Sequence, residues 1–446
     1  MADNDIIAAI ATAAGRSGIG VVRVSGPTLG AFNQAILGKS PAPRTALMAE
    51  FLDKYGAAID QGIALYFPAP RSYSGEDVLE LQGHGGPVVL RELLKRCFEL
   101  GARPARPGEF TERAFLNDKL DLAQAESVAD LIDASTAQAA RSAMRSLQGE
   151  FSRRVESLMQ AIIELRALVE ATLDFPDEEI DFLTQGGAED RLDAVIARLE
   201  EVTSASRQGS LLREGVRIVL AGQPNVGKSS LLNRIAGEDL AIVTEIPGTT
   251  RDAIRQSINL DGVPAHVIDT AGLRRSDDPV EKAGMERTWA AIAKADLVVL
   301  LMDARQGETD ADRAILGQLP ASLPRVRVMN KADLLSRGSR RETTPDGVLI
   351  WLSAKTGEGI ELLQQTILER IGWHPDDEDV FMARERHLQA LERARTHLRR
   401  AKGLGGKLEL YAEELRLALE SLGSITGRVT PDDLLGEIFS RFCIGK

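Results

Sequence analysis

A chain of 446 residues is well past the size at which one core stops growing, so about three domains are expected, each burying its own interior. Apolar residues make up 43% and aromatics only 4%, and the abundance of Ala, Leu, Glu and Arg favours helix. A net charge of −12 opposes a phosphate backbone, which excludes tight unaided nucleic-acid binding unless a local basic patch or a partner supplies it.

Two cysteines, Cys97 and Cys443, cannot form a disulfide framework, and a reducing compartment is the simpler expectation. The N-terminus has Asp3 and Asp5 ahead of a short apolar run interrupted at Gly15 and Arg16, unlike the basic start and long apolar core of a signal peptide. No stretch has the length of a membrane span. A cytoplasmic protein without membrane association is expected. The scattered His residues and the lack of a Cys-x-x-Cys argue against structural zinc.

Residues 1–118 read as a mixed α/β domain, because short apolar runs such as Ile6 to Ile10 and Val21 to Val24 end in Gly-rich turns. From Leu120 to about Phe175 apolar residues recur at helical spacing with no proline until Pro176, which predicts long helices. A second helical stretch, Asp190 to about Leu212, follows the Gly186-Gly187 pair. Between 214 and 371, strand-like runs (Val216 to Leu220, Ala265 to Ile268, Leu297 to Met302, Val326 to Met329, Val348 to Leu352) alternate with helical segments. That is the βαβ pattern of a doubly wound parallel sheet. After Pro375 the chain is again helical. The economical scheme places residues 214–371 as an insertion between two halves, 119–213 and 372–446, of one helical domain: a multidomain α/β plus α protein.

The strand Val216 to Leu220 runs into Gly222-Gln223-Pro224-Asn225-Val226-Gly227-Lys228-Ser229 and then a helix near Ser230. This is a phosphate loop in its required context. Its glycines permit close backbone approach, its amides and the helix N-terminus face phosphate, Lys228 meets the β/γ oxygens and Ser229 binds magnesium. Asp269, ending the strand of Val267-Ile268-Asp269-Thr270-Ala271-Gly272, can hold magnesium through water while Gly272 presents an amide to the γ-phosphate. Thr250, in the run Gly248-Thr249-Thr250-Arg251-Asp252, can complete the magnesium shell when a γ-phosphate is present. The base is chosen by Asn330-Lys331-Ala332-Asp333, since one carboxylate accepts from both the ring N–H and the exocyclic amine of guanine. Ser353-Ala354-Lys355 would back the base. These motifs, in this order, predict GTP and not ATP. Leu273 stands where many switch GTPases carry a water-orienting Gln, so another group must do that work.

The phosphate loop with Asn225, the Gly248–Asp252 run, the ending Phe442-Cys443-Ile444-Gly445-Lys446, and the segments Arg71-Ser72-Tyr73-Ser74-Gly75-Glu76-Asp77 and Arg106-Pro107-Gly108-Glu109-Phe110 together closely resemble the MnmE (TrmE) family of tRNA-modification GTPases, over the whole chain. The resemblance implies a Ras-like GTPase domain inserted into the helical domain, and an N-terminal dimerising domain similar to tetrahydrofolate-binding enzymes. That domain would hold 5-formyltetrahydrofolate or a related one-carbon tetrahydrofolate, with Arg23, Glu80, Lys119 and Lys446 in contact. It implies nucleotide contacts along Thr244, Glu245, Ile246, Pro247, Gly248 and Thr249. It further implies potassium activation, with Asn225, Thr244, Ile246 and Thr249 holding the ion and Glu281 helping to position water beside the catalytic Thr250 and Lys228. The implied activity is modification, with the flavoprotein MnmG, of C5 of the wobble uridine of certain tRNAs to a carboxymethylaminomethyl or aminomethyl group. A homodimer, a heterotetramer with the partner, and tRNA gripped mainly by that partner complete the picture.

Other readings of the same residues stay open. Arg23 and Glu80 could be solvated charges flanking strands. Cys443 could be an inert buried thiol or a group with chemistry near the folate. The cations Arg393, Arg395, Arg399, Arg400 and Lys402 read as a solvated helix end in preference to a tRNA contact. Gly403-Leu404-Gly405-Gly406 spells the GxxG of a KH module, but no KH strand pattern surrounds it, and it reads as an interhelical turn. The alternative function is a ribosome-assembly switch that binds ribosomal RNA. The folate-type N-terminal domain and the Cys-Ile-Gly-Lys ending count against it.

Overall fold

The computed structural model describes residues 5–174, 187–236, 254–269, 289–335, 338–345, 347–374, 380–404, 407–428, 432–440 and 442–445. The chain divides into two compact units. One comprises residues 1–129, 147–178 and 403–446, and the other residues 130–146 and 179–402.

In the first unit, strands β1 (Ile7–Ile10), β2 (Ser17–Gly26), β3 (Leu47–Leu52), β4 (Ala58–Phe67), β5 (Asp77–Gly85) and β6 (Arg103–Pro104) form a sheet in the order β3-β4-β5-β2-β1-β6. Helices α1 (Gly30–Leu37) and α2 (Pro87–Glu99) contribute Phe32, Ile36, Leu90 and Leu93 to a core with Val22, Val24, Leu79 and Leu81. The alternation along β2 and β5 that buries these residues puts Arg23 and Glu80 on the opposite face, directly paired across the strands. The short helix α3 (Glu109–Leu116) follows.

The long helices predicted from Leu120 to about Phe175 are three, α4 (Leu122–Asp133), α5 (Ala137–Leu147) and α6 (Glu150–Asp174). The breaks have local causes. Thr136 caps α5, its hydroxyl accepting from the amide of Ala139 at 3.1 Å. Gly149, at φ +83°, supplies the left-handed residue past the end of α5. Helix α7 (Ala188–Glu214) then leads into the second unit's sheet.

That sheet contains β7 (Val216–Ala221), β8 (Ile254–Leu260), β9 (Val263–Asp269), β10 (Leu297–Asp303), β11 (Arg325–Asn330), β12 (Arg340–Thr344) and β13 (Gly347–Trp351), in the order β12-β13-β11-β10-β7-β9-β8. Strands β9, β7, β10, β11 and β13 are parallel neighbours in turn, and β8 and β12 add antiparallel edges. Every residue of β10 is buried, as expected for a strand covered on both faces. Helices α8 (Lys228–Ala236) and α9 (Asp310–Gly317) lie between strands in the chain, and α10 (Ile360–Arg370) follows β13. This is the doubly wound α/β fold, whose ligand crevice lies at the carboxyl ends of the strands where the order reverses, here around β7.

Helices α11 (Glu385–Lys402), α12 (Leu408–Thr426) and α13 (Asp432–Ser440) follow. Within the second unit α11 packs on α7, and within the first α12 packs on α6. Residues 403 and 404 fall between α11 and α12, as an interhelical turn does. Three of the cations of α11 make ion pairs, Arg399 with Glu200 at 2.9 Å, Lys402 with Asp193 at 2.5 Å and Arg395 with Glu392 at 2.5 Å. Among the described residues no helix is long and apolar enough to cross a membrane.

Candidate functional site

The phosphate loop leaves the buried end of β7 and enters α8 within a few residues. Gly222 has φ +148°, and a Cβ there would stand 2.3 Å from the Leu301 carbonyl oxygen. Gly227 has φ +103°, and a Cβ there would stand 2.3 Å from the Asn330 amide nitrogen. Only glycine fits either place. Asn225 is itself left-handed, at φ +64°, and its side chain is exposed together with Ser229 and Ser230. Val226 is buried. Lys228 Nζ donates to the carbonyls of Gly222 at 2.8 Å and Gln223 at 3.0 Å, so the ammonium lies over the loop.

Asn330, 2% exposed, ends β11 and joins two loops. Its Nδ2 donates to the Val226 carbonyl at 2.7 Å, and its Oδ1 accepts from the Ala354 amide at 2.9 Å. Lys331, left-handed at φ +68°, donates from Nζ to the Asn225 carbonyl and to Asp303 Oδ2, both at 2.9 Å. Ser353 Oγ accepts from the Thr356 amide at 3.2 Å, and the Lys355 carbonyl accepts from Arg234 at 2.5 Å. Asp333 stands at the start of the 3₁₀ turn Ala332–Leu335. Its Oδ1 is buried with no hydrogen-bond partner. A buried acceptor left over is what a guanine N–H would satisfy, so the residues fit the nucleotide.

Parallel pairing sets Asp269 beside Leu220 at the carboxyl end of the sheet, two residues ahead of Gly222. Thr244, Glu245, Ile246, Pro247, Gly248, Thr249, Thr250, Thr270, Ala271, Gly272, Glu281 and Lys446 lie outside the described residues.

Several contributing residues carry no motif. Asp303 ends β10 opposite Asn330. Hydrogen bonds from Arg305, and then from Lys331, hold its carboxyl well below the usual carboxylate range. Gln223 Nε2 donates to Thr309 Oγ1 at 2.8 Å and Asp312 Oδ1 at 3.0 Å. An available signal was the acid closing the apolar run Leu297 to Met302, the same arrangement that singled out Asp269.

A second cluster lies in the first unit. Arg23 pairs with Glu80 at 2.9 Å, its guanidinium 5.5 Å from the Tyr73 ring centre and 5.8 Å from that of Phe110. Its NH1 reaches the Gly445 carbonyl at 3.4 Å. The C-terminal segment is fastened there by a bridge between Ile444 and Pro107 and by the Gly108 amide, which donates to the Cys443 carbonyl at 3.4 Å. Arg23, Glu80 and the tail therefore meet, and the surface-charge reading of the pair gives way to a half-buried one. Lys119 packs against Gly75, two residues along from Tyr73. It precedes α4 instead of opening it, and lines a cavity of about 500 Å³ with Asp118, Asp121 and Arg428. Cys443 is exposed, which removes the buried-thiol alternative, whereas Cys97 is buried and its thiol is pushed up to about 12.

The Arg71–Asp77 and Arg106–Phe110 segments serve largely as scaffold. Asp77 accepts from the Leu29 and Ala69 amides and from the Tyr66 hydroxyl. Glu109, 1% exposed, accepts from Arg103, Arg113 and the Arg106 amide. Tyr73 and Thr111 share a hydroxyl contact of 2.8 Å.

Residues 6–119 match the family model described as the GTP-binding protein TrmE N-terminus, and residues 122–443 match that of the MnmE helical domain. A protein of Nitrosomonas europaea named tRNA modification GTPase MnmE is 60% identical over 451 residues, covering 100% of both chains. A protein of the same name from Dechloromonas aromatica is 60% identical over 447 residues, covering 99% of this chain and 100% of its own. Identity at this level from end to end, over a chain carrying the phosphate loop and the guanine-reading strand end described above, means that this protein belongs to the MnmE family.

Proposed function

We propose that the chain is a GTP hydrolase acting in tRNA modification. The observation that carries this reading is the junction at Asn330, which ties the phosphate loop to the base-reading loop beside an Asp333 oxygen left for guanine. The names of the full-length relatives support the tRNA role, and their end-to-end match speaks against a ribosome-assembly switch.

In finer detail, Lys228, the loop amides and Ser229 bind the phosphates, and Asp333 chooses guanine. Ser229 and Thr250 would hold magnesium, with Asp269 acting through water, and the ion would counter charge on the β- and γ-phosphates. Asn225, Thr244, Ile246 and Thr249 would hold potassium, which adds countercharge where other systems use an arginine. Asn225 suits that task because its amide is exposed at the lip of the loop while Lys331 fixes its carbonyl. Glu281 and Thr250 would orient water. Arg23, Glu80, Lys119 and Lys446 would bind a one-carbon tetrahydrofolate. Glu80 suits its amine donors, because among the described residues Oε2 receives a single long bond, 3.4 Å from Gln82. The folate supplies the carbon added at C5 of the wobble uridine. We further propose a cytoplasmic homodimer partnered by MnmG, with residues 119–213 and 372–446 as the helical domain around the GTPase domain 214–371.

The test is GTP hydrolysis in KCl and in NaCl at equal ionic strength, with ATP as control, followed by wobble-uridine analysis after addition of the partner flavoprotein and folate. Faster turnover in KCl and none with ATP is expected. Equal rates in both salts would remove the potassium role and leave the hydrolase. Unmodified uridine in the complete mixture would remove the tRNA role.

A further inference from the structure

Gln223 and Asn225 flank Pro224 at the exposed lip of the phosphate loop; Gln223 is tied directly to the stretch that follows β10, and Asn225 is tied through Lys331 to Asp303 at the end of β10. On one side, Gln223 Nε2 donates to Thr309 Oγ1 and Asp312 Oδ1 at 2.8 and 3.0 Å. These acceptors are fixed in advance. Thr309 and Asp312 form the capping box of α9, in which Thr309 Oγ1 accepts from the Asp312 amide at 3.3 Å and Asp312 Oδ2 accepts from the Thr309 amide at 3.0 Å. Asp312 is only 1% exposed.

On the other side, the Asn225 carbonyl accepts from Lys331 Nζ, which pairs with Asp303, a carboxylate gripped in turn by Arg305 Nε at 3.0 Å and NH2 at 2.7 Å. Asn tolerates the left-handed region better than other residues with a Cβ, which lets Asn225 hold φ +64° while the bonds on either side fix the lip in that shape.

We propose that the segment from Asp303 to Asp312 is a positioning element of the nucleotide site: Asp303, through Lys331, and Thr309 with Asp312, through Gln223, hold the lip of the phosphate loop in its working shape. The proposal rests on the reading of this loop as a GTP site. Asp303, Thr309 and Asp312 are positioning residues, acting on nucleotide only through the loop, and none of the three belongs to a nucleotide-binding motif read from the sequence.

The experiment uses the full-length protein and three variants, Gln223→Leu, Asp303→Asn and Gln223→Arg. A fluorescent GDP reports dissociation, steady-state hydrolysis gives kcat and KM, and melting temperature reports folding. Loss of Gln223's two hydrogen bonds, or of the Lys331–Asp303 ion pair, predicts GDP leaving about three- to tenfold faster in Gln223→Leu and Asp303→Asn, with kcat falling by a similar factor and by more than KM changes. Gln223→Arg keeps donors facing Asp312 and should stay near wild type. The preference for guanine over adenine should not move, because Asp333 is untouched. Unchanged dissociation and kcat in both weakened variants would overturn the proposal, as would a Gln223→Arg variant as impaired as Gln223→Leu at equal melting temperature. A wild-type protein that binds no GDP would instead sink the GTP reading itself, and the proposal with it.

Discussion

Asn330 donates to the Val226 carbonyl at 2.7 Å, so the strand end that reads the base and the loop that holds the phosphates are one hydrogen-bonded piece. Because Asn330 is buried, Asn330→Ala would strand both the Val226 carbonyl and the Ala354 amide. Unpaired buried groups are costly. The expected result is a fall in GDP affinity of about ten- to a hundredfold with a lower melting temperature, read by fluorescent-nucleotide titration and thermal unfolding. Unchanged affinity would mean that the two loops hold their places independently.

Asp333 offers a different change, of specificity instead of strength. An amide at this position presents one donor and one acceptor where the carboxylate presents acceptors only. Asp333→Asn should therefore lose affinity for guanine nucleotides, by up to about 10⁴-fold, and gain it for xanthine nucleotides, whose ring carries a carbonyl in place of the exocyclic amine. Competition of GTP and XTP for the same site measures it. Equal losses for both bases would indicate damage to the fold.

What was legible in the sequence was whatever is local. The phosphate loop could be read because strand, glycine loop and helix follow one another, and β10 because an unbroken apolar run has one simple explanation. The edge strand β12, Arg-Arg-Glu-Thr-Thr, carries no apolar alternation and is held by pairing with β13. The breaks at Thr136 and Gly149 do not interrupt the helical spacing and depend on a cap and a left-handed turn. Gln223, Thr309 and Asp312 are 86 and 89 residues apart, and no spacing rule joins them. Arg23 and Glu80 stood out only through family resemblance, since either residue alone is an ordinary strand charge.

The tail at Arg23 can be moved without touching the nucleotide site. Gly445 has φ +99°, and a Cβ there would stand 2.5 Å from the Ile10 carbonyl oxygen. Gly445→Ala should push the tail away from Arg23 and weaken folate retention, while GTP hydrolysis stays near wild type. Equilibrium dialysis with labelled 5-formyltetrahydrofolate beside a GTPase assay separates the two. Folate binding equal to wild type would argue that the tail takes no part in that site.

Glu109 gives the fold an acid-sensitive point. Burial alone would push its carboxyl up, but hydrogen bonds from Arg103 and the Arg106 amide outweigh burial and leave it below the ordinary glutamate value. A carboxylate lowered in the folded state contributes stability that is complete above its unfolded value of about 4.3. That contribution drains away as pH falls through the lower folded value. Asp5, also lowered, titrates in the same direction through Arg103 and Arg113. Glu109→Gln would leave Arg103 and Arg113, the latter 7% exposed, without their shared buried partner. Because Asp5 still pairs with both arginines and Glu76 with Arg113, a loss of about 1–3 kcal/mol at pH 7 is expected. The difference between variant and wild type should narrow below about pH 4 as the native carboxylate takes up its proton. Denaturant unfolding followed at pH 7 and at pH 3.5 tests both parts, and a gap that stays constant across that range would place the stabilising charge elsewhere in the network.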